Sequence, residues 1–229
     1  MNPPNSMPNN KIILGFTGLP ASGKGTAAHY YEKTYGASTY RFSTILRDLA
    51  NRLYLPQSRD NLIKMSETVR TTFGEDILAK AIAGDAEKDP NHIVIVEGIR
   101  RMADIAYLRK LPNFVLVEIF ADIHTRHERL VARGENSDDR TKTFEQFQAD
   151  HQRSTELSIP EVVAQASERI DNNGTLETLH QELAALLAKY TPTQKIWPQI
   201  FCNYGSQKQD VVYYVHTIFL LCIKLPIQS

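Results

Sequence analysis

Lys24 directly follows Gly23 and stands six residues after Gly18, in the run Gly18-Leu-Pro-Ala-Ser-Gly-Lys-Gly-Thr26. Glycines at this spacing let successive backbone N–H groups turn inward around phosphate oxygens, and a lysine beside them adds a point charge within reach of β- and γ-phosphates. The lining of such a cradle would be Gly18, Ala21, Ser22, Gly23, Lys24, Gly25 and Thr26. A second chemistry-bearing group is arginine, with eight between Arg100 and Arg153 and none after Arg169. Guanidinium forks match phosphate oxygens in pairs, so arginine gathered in one stretch suits a site that grips phosphates. The third element is Glu97, in Val-Ile-Val-Glu-Gly-Ile-Arg-Arg. An unpaired carboxylate is costly to bury, so an acid followed by glycine at the end of an apolar strand reads as a functional group rather than a packing choice.

These residues need elements to hold them. The apolar, β-branched run after Lys11 reads as a buried parallel strand, and the segment after Lys24 reads as a helix that stops at Gly36. Strand, glycine turn and helix in that order are the context of a Walker A phosphate-binding loop. Further strands are expected at Ala37–Ser43, His92–Gly98, Asn113–Ala121 and, more weakly, Ser167–Asn172. The last helix carries Leu176, Leu179, Leu183, Leu186 and Leu187 on one face, after the start signal Asn173-Gly174-Thr175. Alternating strands and helices predict a parallel sheet wrapped on both faces, with ligands at the carboxyl ends of the strands.

The ending Gly-Lys-Gly-Thr resembles the adenylate and cytidylate kinase group of P-loop nucleoside monophosphate kinases. Most P-loop proteins carry Ser or Thr in the place of Gly25, as a magnesium ligand. The resemblance implies that the metal is held largely through water, with Thr26 the hydroxyl nearest to the phosphates and a candidate metal ligand. Leu46-Arg47 matches the end of the group's acceptor segment, although Thr44 stands where the group has Asp. Glu97-Gly98 and Arg101 match its Asp-Gly-x-x-Arg, with Arg100 in the proline position. Arg47, Arg100 and Arg101 are therefore expected to bind the acceptor's phosphate, and Glu97 to act on the metal through water. Arg129-Leu-x-x-Arg133 matches the helix that leads to a mobile lid, Arg140 lies in the lid at about residues 134–143, and Arg153 follows it as a further clamp. Lys24, Arg129, Arg133 and Arg140 are the expected catalytic cations. The segment from about residue 11 to 189 also resembles P-loop proteins grouped near dephospho-CoA kinase.

The expectation is thus a three-layer P-loop kinase fold over residues 11–190, with five parallel strands and a helical acceptor-binding insert at about 43–88. ATP with Mg²⁺ would donate its γ-phosphoryl group to a nucleoside or deoxynucleoside monophosphate. A phosphate acceptor is already ionised and needs no general base. The alternatives are phosphorylation of a hydroxyl, as in dephospho-CoA, for which Asp48 or Asp76 would have to serve as base, and a regulatory ATPase acting through a partner. With 26 Lys and Arg against 26 Asp and Glu, a strongly basic nucleic-acid binder is not expected. Two cysteines, Cys202 and Cys222, offer neither a disulfide framework nor zinc spacing. The Pro- and Asn-rich residues 1–10 read as disordered, with Met7 an alternative start. Residues 191–229 hold an apolar run, Val211–Ile223, that is short for a membrane helix and interrupted by His216. That extension has no role in the expected chemistry and is a candidate site for a protein partner. A cytoplasmic protein, off the membrane, is expected.

Overall fold

The computed structural model describes residues 11–133, 139–150 and 157–191. Residues 1–10, the first half of the expected lid, Arg153 and the extension from residue 192 onward lie outside the described residues. Five strands, β1 (Ile12–Thr17), β2 (Ser38–Arg41), β3 (Ile93–Ile99), β4 (Phe114–Phe120) and β5 (Glu168–Asp171), form one sheet in the order β2-β3-β1-β4-β5. Every neighbouring pair is parallel. All five strands expected from the sequence are present. The second is shorter than expected because Phe42 already begins a helix.

Helices α1 (Lys24–Tyr35), α2 (Phe42–Arg52), α3 (Arg59–Phe73), α4 (Ile77–Lys88), α5 (Met102–Ile105), α6 (Ile123–Arg133), α7 (Phe144–Asp150), α8 (Ile159–Val163) and α9 (Leu176–Tyr190) connect and cover the strands. β1 is buried along its whole length, as a central strand covered on both faces must be. Its side chains alternate. Ile13 joins Val94 and Val96 in a core completed by Leu78, Ile82 and Ala86 of α4. Phe16 instead meets Tyr31 of α1, whose hydroxyl donates to the Leu183 carbonyl of α9 at 2.7 Å. Three layers result: helices, sheet, helices.

Two helix ends are legible in the sequence. Gly36 closes α1 in the left-handed region (φ 67°), and the N–H groups of Gly36 and Ala37 bond back to the carbonyls of Glu32 and Tyr31. At the start of α9 the Thr175 hydroxyl accepts from the Thr178 N–H. Leu179, Leu183, Leu186 and Leu187 are buried, but Leu176 is 57% exposed, contrary to the one-face reading. A first-turn side chain leans back toward the helix N-terminus, away from the body of the helix.

Lys11 was expected only as a flank of β1, yet it is one of the most deeply buried side chains, 1% exposed. Its ammonium donates to the carbonyls of Ala86 and Glu87 at 3.0 Å, and also to that of Asp89. These are carbonyls that the end of α4 would otherwise leave without a donor, and a cation also suits the negative end of the helix dipole. Lys11→Met keeps the stem and removes the charge. It is expected to cost about 1–3 kcal/mol by orphaning the carbonyls, measured by denaturant unfolding.

Candidate active site

Parallel strands deliver all their carboxyl ends to one edge of the sheet, and the order places β1 at the point where the connections diverge. From that edge hang the loop after Thr17, Arg41 at the end of β2, the Glu97–Arg101 segment, Asp122 and the loop after Asp171.

The loop after β1 has the shape its glycines permit. Gly18, Ala21 and Gly23 all have positive φ, at 135°, 61° and 103°. A methyl added at Gly18 would lie 2.3 Å from the Ile119 carbonyl oxygen, so no other residue fits there. Lys24 folds back over the loop, donating to the carbonyls of Gly18 at 2.7 Å and Leu19 at 2.9 Å. Its ammonium is thereby held at the mouth of the curl that the N–H groups form. Gly25 and Thr26 are exposed in the first turn of α1, and Ser22 is buried.

Two side chains that the sequence did not single out brace this loop. Asn172, after β5, is 5% exposed and donates its Nδ2 to the Ser22 carbonyl at 2.8 Å. It lies so close that a Cβ on Gly23 would stand 2.1 Å from the same Nδ2. Arg126, on α6, is 3% exposed; it donates to the Ala121 carbonyl at 3.1 Å and the Pro20 carbonyl at 3.4 Å, and faces the Phe147 ring. Asp122 starts α6 by accepting from the Thr125 hydroxyl and from the N–H groups of His124 and Thr125. Those bonds, the Thr125 hydroxyl first, hold its carboxyl below the ordinary range.

Beside the loop, β3 carries a bulge directly after Glu97. Phe16 pairs with Glu97 and Thr17 with Ile99, leaving Gly98 as the extra residue at φ 85°. The Thr17 hydroxyl fixes the far side by donating to the Ile99 carbonyl at 3.1 Å. Glu97 is 7% exposed, and its Oε2 would stand 3.8 Å from a Cβ on Gly25. Its partner is Arg41, which the sequence reading passed over.

The arginines expected to bind an acceptor lie on the neighbouring segments. Arg47 is exposed on α2, with Nη1 donating to Gln57 Oε1 at 3.0 Å. Arg100 is exposed, while Arg101 is half-buried and pairs with Glu75 at 3.3 Å. Their backbone is pinned from beneath: Asp104 Oδ2 accepts from both the Arg100 and Arg101 N–H groups at 3.0 Å. Asp104 Oδ1 accepts from Arg70 Nη2 at 2.9 Å, in an ion pair with both side chains buried. Arg70 also donates to the Glu75 carbonyl, so one buried guanidinium joins the end of α3 to the Arg100–Arg101 segment.

On α6, Arg129 and Arg133 share a face at the expected spacing of four. Arg129 has Nη1 buried with no hydrogen-bond partner among the described residues, a donor that calls for a ligand or water. Arg133 is exposed at the helix end, and Arg140 is exposed in a short 3₁₀ turn, Asp139–Thr141. Arg153 lies outside the described residues. His127 is half-buried, with Nε2 2.8 Å from the Lys142 carbonyl, and packs with His124 around Phe144.

Among the described residues no cluster of three or more His, Cys, Asp or Glu could hold a metal ion. A single buried carboxylate beside a phosphate cradle still fits Mg²⁺, which keeps its waters and takes the rest of its ligands from one carboxylate and substrate phosphates. Glu97 and the Thr26 hydroxyl are the groups that would hold it.

A family model described as an AAA domain matches residues 17–148, which carries the chain from the end of β1 into α7. The chain is similar to a "UPF0200 protein" of Hyperthermus butylicus, 28% identical over 80% of this chain and 96% of that one. A second, from Methanoculleus marisnigri, is 28% identical over 77% and 96%. Among solved structures it is similar to TT1252 from Thermus thermophilus, at TM-score 0.50 and 19% identity over 79% of this chain and 98% of that one. Shikimate kinase from Acinetobacter baumannii, in complex with shikimate, is similar at TM-score 0.50 and 10% identity over 81% and 96%. These likenesses bear on the fold, which is that of the P-loop kinases. No helix among the described residues is long and apolar enough to cross a membrane.

Proposed function

Since the chain belongs to this AAA-domain family of kinase-like P-loop proteins, we propose that it transfers the γ-phosphoryl group of ATP to the phosphate of a nucleoside or deoxynucleoside monophosphate. One observation carries the reading. Arg47 and Arg100–Arg101 follow the two strands on one side of the cradle strand β1, at the same sheet edge as Lys24 and Glu97. A nucleotide-binding module without an acceptor has no use for guanidinium groups in both places.

In this mechanism the chain's residues chiefly bind and orient. The loop N–H groups and Lys24 hold the donor's phosphates; Ser22 and Gly23 keep their course because Asn172 and Arg126 fix the loop from behind. Mg²⁺ would be held by Glu97 and Thr26 and would supply charge neutralisation for the transfer. Arg47, with Arg101 or Arg100, would clamp the acceptor's phosphate, leaving an oxygen free to attack in line. Arg129 brings a buried guanidinium nitrogen with no hydrogen-bond partner among the described residues, so its charge would act on the transferring group at little reorganisation cost. Arg133, Arg140 and Arg153 would add charge as the lid region closes. α2 and α3 would form the acceptor-binding insert, with α4 as its base in the core. The reaction so described is that of a cytoplasmic enzyme on a small molecule.

A coupled ADP-release assay over nucleoside monophosphates, deoxynucleoside monophosphates and dephospho-CoA tests the proposal. At least one monophosphate is expected to raise ADP formation well above the rate with water. With that acceptor, Arg47→Ala and Arg101→Ala should each raise its KM about tenfold or more and shift the KM for ATP far less. Equal effects on both substrates would move the acceptor site elsewhere. Stimulation by dephospho-CoA alone would replace the monophosphate with a hydroxyl acceptor.

A further inference from the structure

Arg41 and Glu97 are direct partners in the β2–β3 register, and Arg41 Nε pairs with Glu97 Oε1. The pair is lopsided: the carboxylate side chain is 9% exposed and the guanidinium side chain 51%. A Cβ on Gly25 would lie 3.8 Å from Glu97 Oε2 and 3.9 Å from Arg41 Nη2. The pair therefore stands over the first turn of α1, in the space that a Ser or Thr side chain at position 25 would enter. A carboxylate this buried cannot stay ionised cheaply without a cation, and in the structure Arg41 is that cation. A guanidinium and a divalent ion cannot both sit against one carboxylate without strong mutual repulsion. Arg41 ends an edge strand and is half in water, so it can swing away with little loss of packing.

We infer that Arg41 is an exchangeable counter-ion of Glu97, which holds the carboxylate until a divalent cation arriving with the nucleotide displaces it. Arg41 thereby weakens metal binding and keeps the buried acid paired in the nucleotide-free protein. The inference rests on the reading of Glu97 as the metal's carboxylate, and it concerns binding rather than turnover.

The test measures the affinity of the full chain for the ATP analogue AMPPNP in EDTA and in excess Mn²⁺, and takes the ratio as the metal's contribution. Wild type is compared with Arg41→Gln, Arg41→Lys, Glu97→Gln and the Arg41→Gln/Glu97→Gln double variant, with melting curves to show that each is folded. Arg41→Gln should enlarge the ratio about tenfold, the scale of a partly buried ion pair, and Arg41→Lys should fall between it and wild type. Glu97→Gln should shrink the ratio, and adding Arg41→Gln to it should change nothing further. An unchanged or smaller ratio in Arg41→Gln overturns the exchange. So does equal enlargement with Glu97 already replaced, which would reduce the effect to general charge repulsion. If wild type fails to bind AMPPNP under either condition, the phosphate cradle itself is refuted. With binding intact, failure falls on the counter-ion alone.

Discussion

Lys24→Ala is expected to lower phosphoryl transfer by at least about 10²–10³-fold while leaving the melting temperature within a few degrees of wild type. The loss has the size found when one preorganised donor to a transition-state oxygen is removed. The asymmetry between activity and stability follows from the geometry. The ammonium lies at the open edge of the sheet and donates to the Gly18 and Leu19 carbonyls, which solvent can reach once the side chain is gone. The loop's course does not depend on it, since the left-handed residues Gly18 and Gly23 and the Asn172 bond to Ser22 set that course. Steady-state kinetics with ATP and the accepted monophosphate, alongside a thermal melt, check both halves. Turnover near wild type in a folded variant would remove the cradle from the reaction.

Asp104→Ala should have the opposite profile, a large loss of stability. The carboxylate serves the Arg70 guanidinium on one oxygen and the N–H groups of Arg100 and Arg101 on the other. Its removal leaves a buried cation short of its counter-charge, a change that typically costs about 3–5 kcal/mol. For a domain of this size that corresponds to a fall of roughly 6–20 °C in Tm. Asp104→Asn should cost less, because its amide oxygen still accepts. Replacing the pair together, as Arg70→Met with Asp104→Leu, should recover part of the loss, since no charge is then left unpaired. If the double variant is as unstable as the sum of the two single ones, the pair does not act as a unit.

What could be read from the sequence follows from how local each signal is. The cradle is contiguous, and Gly18, Gly23 and Lys24 announce it by type and spacing. The strands announce themselves as apolar runs, and Glu97 by ending one of them. Arg41 could not be found in that way: its role comes from a register between β2 and β3 that only the folded sheet creates. Asn172 meets Ser22 from 150 positions away, and Arg70 meets Asp104 across 34. Such pairings leave no periodic trace. The available hints were compositional, a polar Asn at the end of the last strand and an Asp three places after an arginine pair. Leu176 shows the reverse failure, since correct spacing along a helix does not guarantee that its first turn reaches the core.

The central claim is that the group leaving ATP comes to rest on the phosphate of a monophosphate. Incubating the full chain with γ-labelled ATP, Mg²⁺ and, in separate reactions, each member of the monophosphate panel or dephospho-CoA, then resolving the products, tests this directly. The expected result is label in the β-phosphate of a nucleoside diphosphate formed from one or a few of the acceptors, and its absence with Lys24→Ala. Label found only in inorganic phosphate, or only on a hydroxyl of dephospho-CoA, would contradict the account.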